Sequence, residues 1–360
     1  MTYEMEAEHI GTSGKFSVRP GIYEELLKDT FKRLHELRCG EICHKSKVSL
    51  SSDPETQLDI TGGWHTGEAG ERDVVSGCLA AYDLMIAYQY HPSSFKDNTG
   101  IAESGNRIPD ILDEVRYETD WLMKMQNPET GGVYSSVTLN TGTAGKKLYI
   151  DGEATRATVN FCVTLTHFSY IINKFDGAYS RKCLKAAGLA WKCLEANKDI
   201  VSDEQMYRAA VELYKATGYG VYKKVIDNYL AANSDKKLES RGAVDAAITH
   251  MGTSRSANMT YCGNLMNHFM GRTHEKAALA RDCAYMVESA ESDPKDLLRN
   301  TSELVVVDYI ITSTEYLKLE QNYLHYLCGR NIKSELFLDY GNSPEAYAML
   351  LILLGRLEDI

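Results

Sequence analysis

The sequence predicts an all-α fold, and three observations carry that expectation. From Gly152 to the C-terminus, apolar residues recur three and four apart in one segment after another. Between those segments no stretch alternates apolar and polar residues convincingly, as a half-buried strand does. A hydrophobic content of 44% over 360 residues supplies a large core. Roughly a dozen helices joined by mostly short loops fit a double layer of helical hairpins.

Taken in order, residues 1–20 are polar and end at Arg19-Pro20, and are expected to form a loose arm ahead of a single domain over 21–360. Tyr23–Arg38 carries Leu26, Leu27, Phe31, Leu34 and Leu37 at helical spacing. A glycine-rich turn at 62–70 breaks the chain before a helix over Val74–Tyr90 with a broad apolar face. Pro109 suits the first position of the next helix, and Asp110, Asp113 and Glu114 suit the positive end of its dipole. Tyr134–Leu148 is a polar, glycine-dotted loop. Helices then follow near 154–174, 181–197, 203–217, 220–232, 257–270, 273–289, 301–320 and 344–357.

Bulk properties exclude several functions. A net charge of -11 argues against a nucleic-acid partner. No stretch approaches the ~18 apolar residues of a membrane span. Nine cysteines, an odd number without small-domain spacing, suggest a reducing compartment rather than a disulfide framework. Residues 1–20 hold Glu4, Glu6 and Glu8 and no apolar run, so a secretory signal is not expected and a cytoplasmic setting is. Self-association into a homo-oligomer is left open.

The stretch Asp59-Ile60-Thr61-Gly62-Gly63-Trp64-His65, followed by Glu68 and Glu71, projects two carboxylates from a flexible turn at a helix entrance. That is a place suited to general acid–base chemistry. It resembles the active-site loop of glycoside hydrolase family 9, the inverting cellulases and related exo-glycosidases, whose two catalytic-loop aspartates follow the same GGWH. A gap-free register sets Thr66 and Ala69 on those aspartates. A shift of two residues sets Glu68 and Glu71 there, and this register is preferred because it keeps both acids. Two further stretches resemble the family: Ile101–Glu118, with Glu103-Ser104-Gly105-Asn106 and Ile108–Glu114, and Cys328-Gly329-Arg330-Asn331. The acids of the first stretch read as structural.

The resemblance implies an (α/α)6 barrel, a ring of six helical hairpins. It also implies hydrolysis of a β-linked gluco- or glucosamine-oligosaccharide with inversion, an acidic surface being compatible with a neutral sugar. Glu71 would activate the water, Glu68 would help hold it, and Glu345 would protonate the leaving oxygen. The family's loop after Tyr340-Gly341 is missing, and Glu345 opens the last helix beside Pro344, where a glutamate is also ordinary dipole chemistry. Trp64, Tyr134 and Tyr149 are the candidates for stacking on sugar. Zinc-bearing members imply an ion held by Cys39, Cys43, His44 and His65. Four such ligands close a tetrahedron and make the site structural; from spacing alone, ordinary reduced thiols are the plainer reading. The rival expectation is a catalytically impaired member that binds a glycan or a protein partner.

Overall fold

The computed structural model describes residues 2–17, 19, 21–40, 47–140, 147–233 and 240–359, the side chains of Phe16, Ser17 and Ser302 aside. Twelve α-helices run through the described residues. They are α1 Glu24–His35, α2 Val74–Tyr90, α3 Asp110–Lys124, α4 Thr155–Ile172, α5 Gly177–Ala196 and α6 Asp203–Thr217, then α7 Gly220–Asn233, α8 Arg241–Met251, α9 Met259–Asp282, α10 Pro294–Ile311, α11 Thr314–Leu327 and α12 Pro344–Glu358.

The helices sort into two layers by their buried faces. α2 and α12 are buried almost all round, as inner helices must be. α5 buries a stripe of Tyr179, Cys183, Ala186, Ala187, Ala190 and Leu194, and so lies outside. α2 packs on α4, α4 on α6, α6 on α8, and α12 on both α2 and α10, so the even-numbered helices form the inner ring of an (α/α)6 barrel. Consecutive helices reverse direction, so the inner six all run one way. Their N-terminal ends share one rim.

Local chemistry explains most boundaries. At α6, Ser202 and Gln205 make a reciprocal capping box, and Gly218 ends the helix at φ 74°. α2 starts where the Asp73 side chain accepts from the Ser76 amide at 2.7 Å.

The structure differs from the sequence expectation in four places. α8 was not foreseen. α9 is one helix where two were expected, because Tyr261, Leu265, Phe269, Thr273 and Ala277 form one unbroken buried stripe and Gly271 lies off it, exposed. Where one helix over 301–320 was expected, α10 ends at Thr312 in a left-handed conformation (φ 51°), and Ser313 caps a new helix. The expected loop after Tyr134 contains β8 Ser136–Asn140 and β9 Lys147–Ile150, which pair with each other and with β7 Arg72–Asp73. The arm carries short antiparallel ladders, β1 Thr2–Tyr3 with β4 Phe16–Ser17 and β2 Glu6–Ala7 with β3 Gly11–Thr12. A further pair, β5 Lys47–Ser49 with β6 Gln57–Asp59, leads into the glycine turn. No helix among the described residues is long and apolar enough to cross a membrane.

Candidate active site

The glycine turn sits at the α2 entrance and is held from three directions. Gly62 and Gly63 take φ 107° and 80°. A Cβ on Gly63 would meet the Trp121 ring at 2.6 Å, so only glycine lets the chain lie on that indole. Arg72, 2% exposed, is the second hold. Its Nη1 donates to the carbonyls of Ile60 and Gly62 at 2.5 and 2.6 Å, and its Nε to that of Gly70 at 3.2 Å. Burial pulls the Arg72 guanidinium down to about 10, with Glu118 pulling the other way.

The third hold comes from α3. Glu118 accepts the Trp64 amide at 2.8 Å, and Glu114 accepts the Trp64 indole N–H at 3.3 Å. Glu114 also meets His35 Nδ1 at 2.5 Å and accepts from Arg38 Nε at 3.0 Å, and Arg38 reaches Glu103 at 2.8 Å. The other Glu118 oxygen is buried without a hydrogen-bond partner, tight against Gly77. Burial raises its carboxyl to about 8, against the Trp64 amide and Arg72. Glu114 and Glu118 anchor the loop, a role the sequence reading, which placed Glu114 at the helix dipole, did not assign. Trp64 itself is 1% exposed, so its ring has no open face to stack on a sugar, contrary to the sequence expectation; it packs the loop instead.

Beyond Trp64 the loop turns outward. The Glu71 carboxylate accepts the Ala69 amide at 2.8 Å and lies over Gly67, where a Cβ would be 2.5 Å from its oxygen. Glu68 is exposed. Tyr134 is half-buried at the bridge to Glu153, and burial raises its hydroxyl. Tyr149 lies on β9 opposite Thr138, with Lys147 Nζ 5.1 Å from its ring. β7 leads into α2 and β9 toward α4, so the β7–β8–β9 sheet ties the two helix entrances together.

Cys39 and His65 are brought alongside by backbone pairing: the Cys39 amide donates to Gly63 and the His65 amide to Leu37, both at 2.7 Å. Burial lowers the His65 imidazole, with Arg72 adding to the effect. Cys39 is disulfide-bonded, unlike the seven free cysteines among the described residues. That departs from the expectation of reduced thiols throughout. Cys43 and His44 lie outside the described residues. Among those that are described, no group of three or more His, Cys, Asp or Glu is placed to hold a metal.

On the inner helix packed against α2, Glu345 stands in the first turn of α12 behind Pro344, with Ser343 capping the helix. Its charge bears on Asp83 of α2 and Arg241 of α8. Asp83 is fully buried and bonds Arg241 Nη2; Arg241 Nε reaches Asp245 at 3.5 Å. Burial pushes the Asp83 carboxyl up to about 7, although Arg241 pulls it back. Asp83 lies about 14 Å along α2 from Val74 at 1.5 Å per residue. Because Arg241 stands at the α8 entrance, that entrance lies lower on the ring than the start of α2. Sequence reasoning missed Arg72, Asp83 and Arg241. An aspartate inside the apolar run CLAAYDLMIAYQY was the available signal.

An (α/α)6 barrel with carboxylates on its N-terminal rim is the frame in which the comparisons fall. The glycosyl hydrolase family 9 model matches residues 23–346, and the chain belongs to that family. Endoglucanase D of Acetivibrio thermocellus is 25% identical over 286 residues, covering 66% of this chain and 45% of its own length. The chain thus spans under half of that relative. A cellodextrinase of Butyrivibrio fibrisolvens is 24% identical over 392 residues, covering 92% of this chain and 71% of its own. A metagenome-derived family 9 endoglucanase structure superposes with a TM-score of 0.84 at 20% identity, over 97% of this chain and 83% of the other.

Proposed function

We propose that the protein hydrolyses β-linked gluco-oligosaccharides with inversion. Glu71 activates water, Glu68 helps hold it, and Glu345 protonates the leaving oxygen. The observation that carries the reading is the family match over residues 23–346, nearly the whole domain. Inversion asks for a base and an acid roughly 6.5–9.5 Å apart. Tyr134 and Tyr149 offer ring faces and hydroxyls beside the N-terminal rim. Short soluble oligosaccharides fit better than a polymer surface, because the loop that would lengthen the mouth after Gly341 is absent. Purified protein incubated with cello- and chito-oligosaccharides, with binding and release measured together, tests the proposal.

A second reading is favoured by one observation. The Glu71 carboxylate is turned back onto its own loop at Ala69, and the gap-free register sets Thr66 and Ala69 where the family has aspartates. On that reading the protein binds a glycan without cutting it, and the same panel shows binding without release.

Zinc enters as part of the proposal. In reduced protein, Cys39 and His65, with Cys43 and His44, would hold one structural ion that pins the loop ahead of the carboxylates. Bound zinc would supply folding energy and no reaction step.

A further inference from the structure

We propose that Asp83 is a positioning residue: with Asp245 it holds the Arg241 guanidinium away from Glu345 and so keeps that carboxyl group unpaired at the mouth. The inference rests on Glu345 being the acid of the proposed reaction.

The geometry sets a problem that Asp83 solves. Arg241 is the first residue of α8 and Glu345 lies in the first turn of α12, and the two charges act on each other. A carboxylate beside a guanidinium pairs with it unless a better partner is closer. Here Arg241 is engaged from below by Asp83 and from its own helix by Asp245. Glu345 makes no ion pair or hydrogen bond among the described residues. Asp83 has no reason to be in an apolar helix other than this contact. It is fully buried, its second oxygen has no partner, and its neighbours on α2 are Tyr82 and Leu84, both buried. Burying such a group is costly unless a charge compensates it, so Asp83 and Arg241 fix each other.

Most of the other charged groups on the helices around the pair have partners of their own. On α6, Arg208 lies over Gly242, where a Cβ would come within 2.2 Å of its guanidinium carbon, and it donates to Asn160 of α4 at 3.1 Å. Glu212 takes His167 at 2.9 Å, and Glu204 accepts from Ser240 at 2.7 Å. On α3, Glu114 faces Arg38, and Glu118 faces Trp64 and Arg72. On α10, Glu303 faces Arg272 and Asp308 faces Arg356, which also faces Glu320 of α11. On α1, Glu24 holds Lys28. Arg33 of α1 pairs with exposed Asp339 at 3.6 Å. Arg241, whose charge already bears on Glu345, is the cation expected to turn to it if Asp83 releases it.

The test is a cycle of variants of the full chain. Asp83→Asn is expected to lower kcat at pH 7 by about tenfold or more, and to move the alkaline limb of the kcat–pH profile down by about one to three pH units, as a newly paired acid loses its proton earlier. Adding Arg241→Gln to Asp83→Asn should bring kcat back to within about threefold of the parent, because the quenching cation is gone. A merely structural role for Asp83 gives no such rescue. Equal activity in Asp83→Asn and parent, or equal loss in the single and double variants, overturns the proposal. Thermal unfolding reads the same contact without catalysis. Glu345→Gln should leave Tm unchanged in the parent and lower it by about 2 °C or more in Asp83→Asn, where it removes a new ion pair. The same change in both backgrounds overturns it. A parent that cleaves no oligosaccharide would end the hydrolase reading and leave this thermal comparison decisive. If Asp83→Asn does not fold, Asp245→Asn frees the same guanidinium from its other side and carries the same expectations.

Discussion

At the scale of the residue, the account turns on a few carboxyl groups in contrasting environments. Glu68 is exposed, Glu71 is half-buried with its carboxylate turned onto the Ala69 amide, and Glu345 stands unpaired among the described residues in the first turn of α12. If they act as proposed, Glu71→Gln and Glu345→Gln each lower turnover on cello-oligosaccharides by about a hundredfold or more. Unchanged turnover in both would remove the assignment. Reduced protein is expected to bind one zinc per chain by atomic spectroscopy, and Cys39→Ser to bind none; equal zinc in both would exclude Cys39 as a ligand. The candidate acids were legible because they follow a recognisable GGWH. The residues that hold them were not. Arg72 reads as one more surface charge beside Glu71, and only the fold shows it filling the loop and bonding three carbonyls. Asp83 and Arg241 are far apart along the chain, and no local pattern links them.

At the scale of the element, helices were read well where their ends are written in side chains. α6 was found to the residue, since Ser202, Gln205 and Gly218 spell its start and stop. The break between α10 and α11 was lost because Thr312 takes the left-handed conformation usually reserved for glycine. α8 was lost because it is short and rich in alanine, with little apolar contrast between its faces. β8 and β9 were lost because their stability comes from pairing with β7, which sequence spacing does not display. The glycine turn is the element that most constrains the site. Gly63→Ala should cost about 3 kcal/mol, from a left-handed backbone and a clash with Trp121 together. Urea unfolding measures this, and an unchanged midpoint would mean the turn is not packed on that ring.

At the scale of the whole molecule, buried acids set the pH response. Glu118 and Glu320 are both raised to about 8, and Asp83 to about 7, with burial the largest cause in each. A carboxyl group whose folded value lies above its unfolded one stabilises most below the unfolded value. It loses that stability as pH rises through the folded value. Burial lowers His250 to about 4, so its contribution is complete above ~6.5 and adds no slope there. Tm is therefore expected to fall between pH 6.5 and 8.5, and Glu118→Gln to flatten the fall; a Tm that rises over this window would contradict the buried-acid picture. The (α/α)6 ring was legible from helical periodicity and the family resemblance, whereas the step in its rim was not, because it depends on where α8 begins against α2. Catalysis by Glu71 and Glu345 is the central claim, and proton NMR of the anomeric products tests it most directly. Fresh cleavage of a β-linked cello-oligosaccharide should release the α-anomer first, and Glu345→Gln should abolish the signal. Release of the β-anomer, or an oligosaccharide that binds and is never cut, would contradict the account.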